Sequence, residues 1–202
     1  MKYVDEFREG GTADSLAAAI RAEARPERRY RLMEFCGGHT HAVFRSGVPD
    51  LLPDTIELVH GPGCPVCILP TGRLDMAISL VRDNPQIILT SYGDMLRVPG
   101  GDRRSLLQAK AEGADVRMVY SVSDSQTLAR DNPDRQVVFF GIGFETTTPP
   151  TALAILAARR RGLQNFSVFC NHVLTPAAMS AILDVSPEAG ESVAIDGFIG
   201  PS

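Results

Sequence analysis

The hydrophobic positions of this chain fall into short continuous runs, separated by longer stretches with a helical period. Runs at 30–35, 56–60, 86–90, 116–120, 136–140, 166–170 and 194–199 are rich in β-branched or aromatic residues and bounded by turn residues, so each predicts a strand. The stretch ADSLAAAIRAEA at 13–24 predicts an amphipathic helix, which PERR at 26–29 breaks. Within 71–83, Leu74, Ala77, Ile78 and Val81 follow the i, i+3, i+4, i+7 rule and predict a helix with that face on a core. Weaker patterns predict helices near 103–112, 123–131, 149–161 and 175–184.

Near-continuous apolar strands alternating with helices predict an α/β fold whose parallel sheet is covered on both faces. Seven strands are too many for one compact unit of this length. The expectation is therefore two similar lobes: an N-terminal helical segment at 1–28, a first lobe at 29–132, and a second, partial lobe at 133–202. The expected seam is DNPDR at 131–135.

The chemically rich stretches have a common position. CGGHTH follows the first predicted strand, GPGCPVC the second, SYGD the third, SVSDS the fourth, GIGFETTTPP the fifth and NHVLTP the sixth. Ligands of open α/β sheets bind beyond the carboxyl ends of the strands. That rule puts Cys36, Cys64, Cys67 and Glu145 on the functional rims of the sheets.

In EFCGGHTH, Gly37 and Gly38 are expected to turn the backbone sharply and leave the Cys36 thiol accessible. Cys36, His39 and His41 together form a Cys-x-x-His-x-His set that suits iron or zinc. The plainer alternative is a turn with a buried cysteine and helix-capping histidines. GPGCPVC leads towards a helix for which Thr71 is a plausible N-cap. Cys64 and Cys67 read as a redox pair, as half of a zinc site completed by Cys36 and a histidine, or as two inert buried cysteines. His60 directly precedes the loop, in a position to orient it.

In GIGFETTTPP, Thr148 before Pro149 predicts a cap followed by the first helical residue. Glu145, Thr146 and Thr147 are not explained by that signature. A carboxylate and hydroxyls beside exposed amides suit a small polar ligand, or proton transfer during ligand exchange. The stretch lacks the lysine of a P-loop and the glycine spacing of a dinucleotide site. Cys170 ends an apolar strand and reads as core. His172, just beyond, is open to either reading. Tyr92, Asp94, Ser121 and Asp124 share the rim without specificity of their own.

Composition narrows the classes. Of 202 residues, 44% are hydrophobic and 22% charged, so a globular core is expected. A net charge of −4 argues against nucleic acid. The run Arg159-Arg160-Arg161 is expected to complement a helix C-terminus. No apolar run is long enough to span a bilayer, and no signal-like stretch follows Met1. Four irregularly spaced cysteines do not look like a secreted disulfide framework, so a reducing cytoplasm is the expected compartment.

The motifs FCGGHTH, HGPGCPVC and GFETTTP, in this order, resemble those of the HypD family of hydrogenase maturation factors, and YGDMLRVPG and CNHVLTPAAM look like further family segments. The resemblance covers the whole chain. It implies a cytoplasmic assembly factor for the Fe(CN)2CO centre of [NiFe] hydrogenases, a scaffold with redox-active thiols rather than a conventional turnover enzyme. It implies a HypC-type chaperone that shares the iron and a HypE-type protein that delivers cyanide. By position, Cys36 would bind the iron, Cys64 and Cys67 would form the redox pair, and His39, His41 and Glu145 would support the site. The implied fold is two Rossmann-like lobes and a third domain with a [4Fe-4S] cluster. The family continues past DGFIGPS, so the cluster is expected only in the full-length family member. The partial second lobe is expected to favour self-association of this chain. Two readings from other classes remain beside it: a metal-independent thiol–disulfide oxidoreductase and a zinc-stabilised α/β interaction module.

Overall fold

The computed structural model describes residues 10–184 and 194–200. Residues 1–9 of the expected N-terminal segment, and 185–193 and 201–202 of the expected second lobe, lie outside the described residues. The chain divides into two compact units. One takes in the chain up to Cys64 and again from Ser180; the other runs Pro65–Met179.

The first unit carries a three-stranded parallel sheet of β1 (Tyr30–Glu34), β2 (Ile56–His60) and β7 (Gly197–Ile199), in the order β2-β1-β7. Helix α1 (Gly10–Glu23) precedes β1, and α2 (Gly37–Arg45) and α3 (Val48–Leu51) connect it to β2. Asp196 ties β7 to the start of β1: its carboxylate accepts from the Arg31 N–H at 2.9 Å and pairs with Arg28 at 3.0 Å. At the other end, the ring of Phe35, 2% exposed, meets that of Phe198 at 5.4 Å.

The second unit opens with α4 (Pro65–Ile68) and α5 (Thr71–Asp83) and carries a four-stranded parallel sheet. Its strands are β3 (Ile87–Ser91), β4 (Val116–Met118), β5 (Gln136–Phe144) and β6 (Phe166–Val173), in the order β4-β3-β5-β6. Strand alternation distributes the core to the two faces. Leu89, Val138, Phe140 and Ile142 pack with Leu74, Ala77, Ile78 and Val81 of α5 and with Leu106 and Ala109 of α6 (Leu106–Ala111). The intervening residues form separate clusters: Phe139 with Val122 of α7 (Val122–Asp131) and Ala154 of α8 (Thr148–Arg160), and Ile88 and Val137 with Ala129 of α7. Each Val, Leu, Ile or Phe side chain among them taken fully out of water contributes about 1.5–3 kcal/mol. The chain then enters α9 (Thr175–Leu183).

All seven predicted strands form, in an α/β architecture of parallel sheets flanked by helices. The expected division at 131–135 does not. Those residues join α7 to β5 inside the second unit, and β3 and β4 before them share a sheet with β5 and β6 after them. Arg135 fixes this connection by pairing with Asp115 at 2.5 Å and donating to the Pro85 carbonyl at 3.1 Å. The physical reason is strand order. The first unit takes two strands, lends the chain to the second, and recovers β7 as its third.

Candidate functional site

In the first unit, β1 stops at Glu34 and α2 starts at Gly37, so Phe35 and Cys36 are the link between strand and helix. Cys36 is the N-cap of α2, with extended backbone angles (φ −123°, ψ 120°) and a half-buried thiol. Gly37 and Gly38 do not make a left-handed turn; neither has positive φ, and both belong to the first turn of α2. Nor does space require glycine here: an added Cβ would meet nothing within 4 Å at Gly37, and would make only ordinary contact with Cys36 Sγ at 3.5 Å at Gly38.

The centre of this site is a residue the motif reading passed over. Glu34 is only 4% exposed. Its Oε2 accepts from the Cys36 N–H at 2.8 Å, and its Oε1 accepts from the Thr40 hydroxyl and lies 3.1 Å from His60 Nδ1. Burial pushes the carboxyl pKa up, but the hydrogen bonds from Thr40, His60 and the Cys36 N–H together outweigh it and hold the group below the usual carboxylate range. An ionised partner places a proton on His60 Nδ1. The imidazole also packs against Phe44, with ring centroids 5.2 Å apart.

His60 is therefore turned to Glu34 rather than to the loop after it. The loop is anchored by backbone: the Gly61 N–H donates to the Glu34 carbonyl at 2.7 Å. A Cβ on Gly61 would lie 2.6 Å from that same oxygen, so only glycine permits the approach. Cys64, half-buried, follows at the end of the first unit's first segment, and the division between units falls immediately after it. Cys67, exposed, sits in the single turn of α4. The N-cap of α5 is Pro70, and Thr71 is its first helical residue.

The Cys-x-x-His-x-His pattern does not close on one ligand. On a helix of 3.6 residues per turn, His39 and His41 stand about 200° apart. His41 is exposed, while His39 is half-buried, with a buried Nδ1 that has no partner among the described residues. Among the described residues no three His, Cys, Asp or Glu side chains are arranged to hold a metal ion.

In the second unit, the GIGFETTTPP stretch is the C-terminal end of β5, a turn of 3-10 helix at Glu145–Thr147, and the start of α8. Gly143 has φ +150°, and a Cβ there would collide with the Thr147 side chain. The Thr147 hydroxyl donates to the Phe144 carbonyl at 2.7 Å. The predicted cap is displaced by one residue: Thr147 is the N-cap, Thr148 is already helical, and the Thr148 hydroxyl is buried without a partner among the described residues. Thr146 is exposed. Glu145 Oε2 accepts from the Thr175 N–H at 2.9 Å, and Thr175 holds its carboxyl below the usual range. That carboxylate fixes the start of α9.

Elsewhere on the rim, Asp94 accepts from the Met95 N–H at 2.9 Å and Asp124 from the Ser121 N–H at 2.9 Å, so both close local turns. Cys170 is not core. It is exposed on a strand three residues longer than predicted, with Sγ 3.2 Å from His172 Nδ1. Glu34 had one legible signal, an acid between Met33 and Phe35 in an inward-facing run. Thr40 had none.

The family model described as "HypD: Hydrogenase formation hypA family" matches residues 11–202. The chain is 68% identical over 202 residues to the hydrogenase maturation factor HypD of Azotobacter vinelandii, with all of this chain matching 53% of that protein. It is 66% identical over 202 residues to the hydrogenase expression/formation protein HupD of Azotobacter chroococcum, again across 53% of that protein. Against the hydrogenase maturation factor HypD of Escherichia coli the identity is 47% over 206 residues, and 53% of that protein is covered. The chain thus spans about half the length of the curated relatives it matches.

Proposed function

The chain belongs to the HypD family of hydrogenase formation proteins, and on that premise we propose that it is a cytoplasmic scaffold on which the Fe(CN)2CO centre of [NiFe] hydrogenases is assembled. Iron is the cargo, and Cys36 supplies its thiolate. A soft sulfur ligand suits low-spin iron with strong-field diatomic ligands. A HypC-type chaperone shares the iron, and a HypE-type protein delivers the cyanide. Cys64 and Cys67 pass between dithiol and disulfide, releasing or taking up two electrons and two protons.

The observation that supports this reading best is the mooring of Cys36. Its backbone N–H is held by a buried, ionised Glu34, which also orders Thr40 and His60. A thiol fixed by its main chain keeps its sulfur for a ligand. One protein thiolate leaves the remaining iron positions to the diatomic ligands and the partner. His39, in the first turn of α2 with a buried Nδ1 that has no partner among the described residues, is assigned to support ligand exchange. His41, exposed, faces a partner, and Glu145, Thr146 and Thr147 serve the second unit's rim.

The test is iron content after anaerobic co-purification with a HypC-type chaperone. Cys36→Ala is expected to abolish iron retention with little change in far-UV circular dichroism. Equal iron in variant and parent would remove Cys36 from the site. Stoichiometric zinc without titratable thiols would favour a structural module instead.

A further inference from the structure

Cys170 and His172 form a second thiol site that the reading above does not use. They alternate on β6 with Asn171 between them, and Cys170 Sγ lies 3.2 Å from His172 Nδ1. The other ring nitrogen, Nε2, lies 3.4 Å from the Thr151 hydroxyl of α8. That hydroxyl donates its own hydrogen to the Thr147 carbonyl at 3.0 Å, so toward the imidazole it is left as an acceptor. The proton of the neutral ring is thereby assigned to Nε2, and the Nδ1 lone pair faces the sulfur. Burial lowers the His172 pKa, which keeps the ring neutral near pH 7. The ring's place is made by the neighbouring strand: a Cβ on Gly141 would lie 3.1 Å from His172 Cε1. A nucleophile, a base, and a third group that orients the base are the parts of an activated thiol.

The surroundings indicate what the thiol would meet. Cys170 and His172 line a cavity of about 270 Å³ with Pro65, Ile68, Leu69 and Arg73. At roughly 30 Å³ per water, this admits one arm of a small molecule rather than a folded partner. Arg73 spans the strand: Nε donates to Asn171 Oδ1 at 2.7 Å, Nη2 donates to the Cys170 carbonyl at 3.0 Å, and the guanidinium stacks on Phe169 at 4.3 Å. No carboxylate among the described residues pairs with it, so its charge is left for an anionic ligand.

We propose that Cys170 is a base-activated nucleophile that exchanges with small anionic disulfides, with His172 as its base, Thr151 as the residue that positions His172, and Arg73 as the anion-recognising cation. The Cys170 proton passes to His172 Nδ1 as the sulfur attacks one sulfur of the disulfide R–S–S–R. A Cys170–S–S–R bond forms and the original S–S bond breaks. The leaving thiolate RS⁻ takes the proton back from the imidazolium. Cys170 is oxidised, the departing half is reduced, and no other reagent is consumed.

The test uses the full chain with Cys36, Cys64 and Cys67 replaced by serine, so that the outcome does not depend on the iron reading. The probes are dithiobis-nitrobenzoate, an anionic disulfide, and dithiodipyridine, an uncharged one, with thiol release followed at pH 7. General-base assistance predicts that His172→Gln slows both probes roughly tenfold or more with an unchanged circular dichroism spectrum. Thr151→Val is expected to slow both by a smaller factor, with Thr151→Ser restoring the rate. Arg73→Gln is expected to slow the anionic probe alone. Equal rates in parent and folded His172→Gln overturn the proposal. If His172→Gln does not fold, Thr151→Val decides, and an unchanged rate there overturns it.

Discussion

Glu34→Gln is the substitution that reaches furthest into the first unit. Glutamine has the shape of glutamate, but one of its two oxygens becomes an NH2 donor. Every partner of Glu34 is itself a donor: the Cys36 N–H, the Thr40 hydroxyl and the protonated His60 Nδ1. If the amide nitrogen faces Cys36, that N–H loses its acceptor; if it faces Thr40, both Thr40 and His60 lose theirs. A hydrogen bond to a charged group contributes about 1.5–3 kcal/mol, and a buried group left unsatisfied costs about 1–3 kcal/mol. The two consequences overlap, so the expected loss near pH 7 is about 2–4 kcal/mol. For a chain of this size that corresponds to a fall in melting temperature on the order of 10 °C.

Acid separates this mechanism from simple misfit. The folded-state pKa of Glu34 is lowered, so its contribution is full above the unfolded value of about 4.3 and is lost as pH falls through the folded value. The melting curves of parent and Glu34→Gln, far apart at pH 7, are therefore expected to converge on acidification. Circular dichroism melts across that range measure it. Equal melting temperatures at pH 7, or a gap that does not shrink in acid, would refute the placement of an ionised carboxylate beneath Cys36.

Three further outcomes are expected. Gly143→Ala forces a side chain into a backbone conformation at φ +150° and against Thr147, a cost on the order of 1–3 kcal/mol that denaturant titration of the second unit detects; an unchanged midpoint refutes it. Glu145→Ala removes the acceptor for the Thr175 N–H, at about 1 kcal/mol for a lost cap, and hydrogen exchange at the start of α9 should quicken above pH 5 and differ less in stronger acid, as the lowered Glu145 pKa requires. Cys64 and Cys67 are expected to close reversibly, so mass spectrometry after mild oxidation should find a loss of two hydrogens on one peptide, whereas full alkylation of both under oxidising conditions would end the redox reading.

What was legible in the sequence followed periodicity. The apolar period of α5 placed Leu74, Ala77, Ile78 and Val81 on the core, and the seven strand runs announced their sheets. What was not legible depended on contacts far apart in the chain. Nothing in the strand run at 194–199 says that it pairs with β1, and so the division between units was misplaced. Four-residue helices such as α3 and α4 are too short to show a period. Two glycines after Cys36 suggest a sharp turn, whereas both lie in the first turn of a helix and neither has positive φ. That helix is also why His39 and His41 cannot join Cys36 on one ligand. Cys170 looked like core because the run ending there is apolar, but β6 continues and the edge position exposes the thiol.

The central claim, that this chain carries iron bearing cyanide and carbon monoxide, is tested most directly by infrared spectroscopy of the anaerobically purified chain with its HypC-type partner. Absorption in the cyanide and carbonyl stretching regions is expected in the parent complex, and its loss is expected in Cys36→Ala with the partner still bound. Iron-free protein without such bands, or bands that persist undiminished in Cys36→Ala, would contradict that claim.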